Sequence, residues 1–293
     1  GGTGNLVASD FAFSISGGTA TLSSTAPSSI VISSGNVYTL GISLTGIADG
    51  TEVLTVNPVD DSIYDGTANE ASTTQTNNTA TLNDLTAPKI ASVSLNQTNT
   101  ELSVTFNESV YNTNGGSGGL ESSDFRFSMV GGAAVLSSMT PTSISTTDNL
   151  TFVLGIGLSG TAQGSEVLTV NPLDDSIYDV SGNEAGTNQS NNSVNLNDQN
   201  FPIILNVTLA EDNSVLTVKM SEALYNTNGG SGTLEASDFI FSISGGTATL
   251  SSATPSSITP ESGNVYKLGI SLSGNPNGNE KLVINPVDNS IYD

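Results

Sequence analysis

The sequence predicts an all-β protein made of tandem immunoglobulin-like β-sandwich repeats of 114 residues, and three observations predict it. The first is a repeat with no insertion or deletion. NPVDDSIYD at 57–65 returns as NPLDDSIYD at 171–179 and as NPVDNSIYD at 285–293, so 171 − 57 = 285 − 171 = 114. YNTNGGSG, starting at Tyr111 and again at Tyr225, keeps the same spacing. The second is that apolar residues alternate with small polar ones at period two, the pattern of half-buried strands. The third is the density of such segments. About seven short strands in roughly 110 residues, with Ser, Thr, Asn and Gly between them, match the strand count of that sandwich.

The repeat phase divides the chain into 1–86, 87–200 and 201–293, with proline at the boundaries Thr86, Ala87, Pro88 and Asn200, Phe201, Pro202 interrupting the strand pattern. Only the middle repeat is whole. The first is expected to lack its two opening strands and the third its last one, as in a segment of a longer array. Within the middle repeat Ala91, Val93 and Leu95 are expected to share one face. Leu102, Val104 and Phe106 follow after a polar turn at 96–100. The next strand holds Phe125 and Phe127 around Arg126, and the other repeats place Ala12 and Ile240 at that intervening position. Such variation marks the solvent face, so Phe11, Phe125 and Phe239 are expected inside and Ala12, Arg126 and Ile240 outside. Leu154, Ile156 and Leu158, then 167–170, then Val194 and Leu196 supply the remaining strands, and 120–124 holds one possible turn.

Composition excludes several function classes. With 28 Asp plus Glu against 5 Lys plus Arg, the net charge of −23 repels nucleic-acid phosphates and anionic lipid surfaces. No apolar run approaches the roughly 20 residues that a bilayer-spanning helix needs. Cysteine, histidine and tryptophan are absent, which removes disulfides, thiolate chemistry and His-based triads. Closely spaced carboxylates could suggest a glycosidase. They recur in every repeat beside few aromatics, however, so no enzyme activity is expected. Lys89, Lys219, Lys267 and Lys281 fall at different repeat phases, which offers no constant position for an isopeptide bond.

The order LSVTFNESVYN at 102–112, SSDFRFS at 122–128, EVLTVNP at 166–172 and IYDVSGNEA at 177–185 resembles bacterial Ig-like repeats of very large surface proteins, the SWM-type and related Big-type repeats. In those repeats a strand ending in Ser-Glu is followed much later by Asp-x-x-Gly-Asn. The first repeat departs from it at 66–69, GTAN. The resemblance implies secreted, acidic, tandem sandwiches, often stabilised by calcium.

The acidic residues form the one candidate site. Asp60, Asp61 and Asp65 lie close in sequence, as do Asp174, Asp175 and Asp179, while the third repeat keeps Asp288 and Asp293. Glu108 and Glu222, after the second strand, and the boundary acids Asp84 and Asp198 could converge on the same end of the sandwich. Five basic residues cannot neutralise 28 acids. Calcium, which takes six to eight oxygen ligands, is one answer, and a solvated acidic loop with Asx-turn caps is the other. Asp10, Asp124 and Asp238, each before a strand, read as caps on a short turn. Tyr64, Tyr178 and Tyr292 are expected to turn inward with their hydroxyls on backbone, rather than to form a sugar-stacking platform.

These readings predict a structural or extending segment of a long extracellular bacterial fibre or adhesin, stiffened by calcium, whose partners are further copies of the repeat and neighbouring fibre subunits. The alternatives are a glycan- or protein-binding module and a self-assembling filament or sheath subunit.

Overall fold

The computed structural model describes residues 4–293, so residues 1–3 of the first repeat lie outside it. The described chain is all-β apart from three-residue 3-10 turns. It forms two compact units, Gly1–Asp198 and Gln199–Asp293. The first unit contains two repeats and the second contains one.

The middle repeat is a sandwich of two antiparallel sheets. One sheet runs in the order Ile144–Thr146, Thr151–Gly155, Glu101–Phe106, Ile90–Leu95. The other runs Phe125–Val130, Val167–Pro172, Ser193–Asn195, and a short ribbon pairs Val135–Leu136 with Leu158–Ser159. Register places Phe127 opposite Val170 and Met129 opposite Leu168. Alternation then sends Phe125, Phe127, Leu168 and Val170 inward against Leu102, Val104, Phe106, Phe152 and Leu154 of the facing sheet. Phe106 and Phe152 meet edge to face at 6.1 Å, and Phe125 from the opposite sheet lies 6.3 Å from each. Three rings thus tie the two layers together, each pair adding about 0.5–1.5 kcal/mol beyond area burial.

Phe125 is buried and Arg126 is exposed, as the alternation requires. Two local expectations change. A bulge between Ile90 and Ser92 puts Ile90 into the core and leaves Ala91 exposed. The segment 154–158 is two strands: Thr151–Gly155 stays in the four-stranded sheet, whereas Leu158–Ser159 crosses to the ribbon.

The third repeat reproduces the four-stranded sheet with Ile204–Leu209, Val215–Met220, Val265–Gly269 and Ile258–Glu261, and pairs Phe239–Ser244 with Lys281–Pro286. Phe239 is buried and Ile240 is 45% exposed. In the first repeat Phe11–Ser16 pairs with Val53–Pro58, and Thr79–Thr81 completes that sheet. Phe11, expected inside, is only half-buried, and Ala12, expected outside, is half-buried too. Among the described residues no hairpin equivalent to Ile90–Phe106 covers this repeat, so Phe13 alone of the pair is buried.

Candidate metal centre

Three carboxylates meet inside the first unit where its two repeats join. Their oxygens, one each from Asp84, Glu108 and Asp179, all lie within 4.8 Å of one another. Asp84 ends the first repeat: Asp49 pairs with it in an isolated bridge, and its Oδ1 accepts the Thr86 N–H at 2.9 Å. Glu108 follows the strand Glu101–Phe106, and Asn107 Nδ2 donates to its Oε1 at 3.1 Å. Asp179 is held from the far side of the repeat. Tyr178 and Tyr111 exchange backbone hydrogen bonds at 2.7 and 2.8 Å, which carries the next residue under the sandwich end.

Asp179 is fully buried and prearranged. Its Oδ1 accepts the Ser181 and Asn183 N–H groups at 2.8 Å each, and its Oδ2 accepts Asn183 Nδ2 at 2.8 Å. Asn183 Nδ2 also donates to the Asp84 carbonyl at 3.2 Å, joining the two repeats directly. Burial raises the Glu108 pKa, and the neighbouring charges of Asp179 and Asp84 raise it further. Three acids sharing so small a volume repel one another. A hard divalent cation removes that repulsion, and an all-oxygen donor set of carboxylates fits calcium or magnesium rather than a softer metal.

The remaining expected site residues lie elsewhere. Asp174 and Asp175 are exposed and do not reach this centre. The Asp175 N–H donates to Glu184 Oε1 at 2.6 Å, and Tyr178 Oη donates to Asp175 at 3.4 Å. The first repeat copies this arrangement, with Asp61 N–H on Glu70 at 2.6 Å and Tyr64 Oη on Asp61 at 3.1 Å, beside exposed Asp60. Asp65, the counterpart of Asp179, is exposed. Its carboxyl sits well below the usual range, chiefly through the Asn69 side chain and backbone. In the second unit Glu222 and Asp293 bring carboxylate oxygens within 4.8 Å of each other, while Asp288 accepts from Asn289 Nδ2 at 3.2 Å. Asp198 pairs with Gln163 in the same kind of bridge that Asp84 makes with Asp49.

The tyrosines differ from expectation. Only Tyr292 donates to a backbone oxygen, that of Asn289 at 3.0 Å; Tyr64 and Tyr178 donate to aspartates, and Tyr64 is 42% exposed. In Tyr64 and Tyr178 the DSIY turn places the carboxylate three residues back within reach, whereas Tyr292 has Asn289 at that position. Asp10, Asp124 and Asp238 do cap the short 3-10 turns, accepting the N–H groups of Val7, Glu121 and Glu235 at 2.7–2.8 Å.

Sequence reasoning missed a second set of acids. Glu52 and Glu166 are fully buried, and with Glu280 they stand 114 residues apart. Glu166 accepts the N–H groups of Ala133 at 2.8 Å, Ala134 at 3.0 Å and Gln163 at 2.9 Å. Glu52 and Glu280 do the same for their loops. Backbone donors, Ala20 first for Glu52 and Ala248 first for Glu280, pull both pKa values down to about 2. For Glu166 the burial penalty is the largest influence, and the backbone donors outweigh it to leave the pKa lowered. Gly132 makes this possible: its φ is +57°, and a Cβ there would run into the Glu166 carboxyl group. The visible signal was a glutamate at one constant repeat phase.

No protein-family model matches this chain, and no curated protein matches it. Among solved structures it is similar to the Escherichia coli adhesin FdeC at 18% identity, covering 95% of this chain and 81% of that one, with a TM-score of 0.34. That score is too low to carry an argument, and the sandwich assignment rests on the chain's own strand pairing.

Proposed function

We propose that the chain is a structural, extending segment of a long extracellular bacterial fibre or adhesin, and that calcium at the junction of successive repeats stiffens it. The supporting observation is the meeting of Asp84 from one repeat with Glu108 and Asp179 from the next. A cation held there would bridge two sandwiches, so the site acts on geometry rather than on a substrate. Asp198, Glu222 and Asp293 stand 114 residues further along, as a joint repeated with the array would require. The residues constant between repeats are core phenylalanines, turn residues and the buried glutamates, which suits a scaffold. No reaction is assigned to the chain. Its partners on this reading are further copies of the repeat and neighbouring fibre subunits, and its charge of −23 keeps it off nucleic acid. Among the described residues no helix is long and apolar enough to cross a membrane.

Calorimetry with calcium tests this reading. At free calcium 100 times the dissociation constant, each bound site adds about 2.7 kcal/mol to the stability of the unit that holds it. The melting temperature should rise with calcium and fall back in excess chelator. Identical melting curves in the two conditions would remove the metal from the account.

A further inference from the structure

The middle repeat carries an apolar groove built from residues that the other two repeats do not share. It lies between the strand Phe125–Val130 and the ribbon strand Val135–Leu136, with a volume of about 330 Å³. Both strands are paired, to Val167–Pro172 and to Leu158–Ser159, so the groove belongs to a fully formed part of the sandwich. On its rim Val130, Val135 and Met139 are 68%, 58% and 58% exposed. The equivalent positions, 114 residues away, hold Ser16, Thr21 and Thr25 in the first repeat and Ser244, Thr249 and Ala253 in the third. Single exposed apolar residues are ordinary on a protein surface, but three gathered on one groove, in one repeat, have the distribution of a contact surface.

The single arginine of the chain stands at the same groove, where the other repeats have Ala12 and Ile240. Arg126 Nη2 donates to Met139 Sδ at 3.2 Å, and a thioether is a weak acceptor. No carboxylate neutralises it: among the described residues the one ion pair joins Lys267 to Glu261. The groove therefore asks for an apolar side chain with a carboxylate beside it, since a planar guanidinium matches that group.

The chain itself presents such a segment. Leu173 is 37% exposed, where the first and third repeats hold half-buried Val59 and Val287. Its N–H is fixed on the Asp124 carbonyl at 2.8 Å, so the side chain is held out on a defined backbone. Asp174 follows it and is exposed; its backbone carbonyl accepts Ser176 Oγ at 3.1 Å, which leaves its carboxylate to solvent. Groove and segment thus change together in the middle repeat.

We infer that this face is an interface between copies of the chain: the groove of one middle repeat takes Leu173 of a second copy, and Arg126 pairs with that copy's Asp174. Each copy carries both halves on one repeat, the arrangement that an isologous two-fold contact uses. The contact rests on the reading of the chain as a fibre segment with neighbouring copies, and it is independent of any cation at the joint between repeats. A charge of −23 opposes association, and physiological salt screens that repulsion beyond about 8 Å while leaving close pairs in place.

Sedimentation equilibrium of the whole chain in physiological salt, at concentrations up to about 1 mM so that a weak contact is populated, tests the inference. The average mass should rise from 29.7 kDa towards twice that value, equally with calcium and with excess chelator. This separates it from the metal reading, whose failure would leave the result unchanged. Val135→Asp, Arg126→Glu and Asp174→Arg should each lower the association constant at least about tenfold, through a buried charge or a like-charge contact. All three positions are exposed, and unchanged melting curves would show the variants folded. Arg126→Glu with Asp174→Arg in one chain should restore association. A mass that stays at 29.7 kDa at every concentration would overturn the inference. Stronger association of Asp174→Arg would overturn it too, because net charge rather than a specific pair would then govern the contact.

Discussion

Replacing Glu166 by alanine should destabilise the first unit far more than a loop residue normally does. The carboxylate takes three backbone N–H groups, of which that of Ala134 is in a buried bond, while those of Ala133 and Gln163 are partly accessible. A hydrogen bond to a charged group contributes about 1.5–3 kcal/mol, and water can recover much of the loss at the two accessible donors. The expected cost is therefore about 3–5 kcal/mol, measured by urea unfolding. Glu166→Gln keeps one oxygen for Ala133 and Ala134 but turns an amide toward the Gln163 N–H, so its loss should be about half as large. An alanine variant within about 1 kcal/mol of the parent would refute the reasoning. So would a glutamine variant as unstable as alanine, because the loss would then follow charge rather than donor count.

Three further outcomes follow from the same contacts. Glu52 and Glu280 have folded pKa values of about 2 against an ordinary 4.5. A carboxyl depressed in this way stabilises above its unfolded value, so stability should fall steadily from about pH 4.5 towards pH 2, as read by urea melts across that range. Phe152→Ala, which removes the edge-to-face contact with Phe106 and the contact with Phe125 of the facing sheet, should cost about 3–5 kcal/mol; Phe152→Tyr should cost under about 1.5 kcal/mol, since the third repeat holds Tyr266 there. Gly132→Ala should lose at least about 1–2 kcal/mol from its positive φ alone, and a Glu166→Gln background should not rescue it.

The strand faces were legible because period-two alternation fixes which side each residue takes once one face is buried. Phe125 and Arg126 show it directly. The bulge at Ile90 was not legible, since an extra residue leaves no mark in composition and shifts only the residues beside it. The crossing between Gly155 and Leu158 was hidden for a related reason: one apolar run served two sheets. Of the expected site, Asp84, Glu108 and Asp179 came together and Asp174 and Asp175 did not. Closeness in sequence grouped the acids of DDSIYD, but the chain turns at Asp174 and Asp175, where the φ of Asp175 is 56°, and this leaves Asp175 exposed while Asp179 is buried. The buried glutamates escaped notice because a carboxylate before a strand reads as solvent-facing. Only the folded loops reveal the backbone donors that make its burial affordable.

The central claim, that a cation at Asp84, Glu108 and Asp179 stiffens the joint between the first two repeats, can be tested by spin-label distances. The chain has no cysteine, so labels at Asn36→Cys and Thr147→Cys, both on exposed turns of different repeats, are the only reactive thiols. Calcium should narrow the distance distribution, and chelator should broaden it again. Glu108→Gln should respond to neither. It should also melt higher than the parent in chelator: burial and adjacent charge raise the Glu108 pKa, so the ionised form is a penalty above that pKa and is relieved when pH falls through it. A distribution of the same width with calcium, with chelator and in the Gln variant would contradict the account.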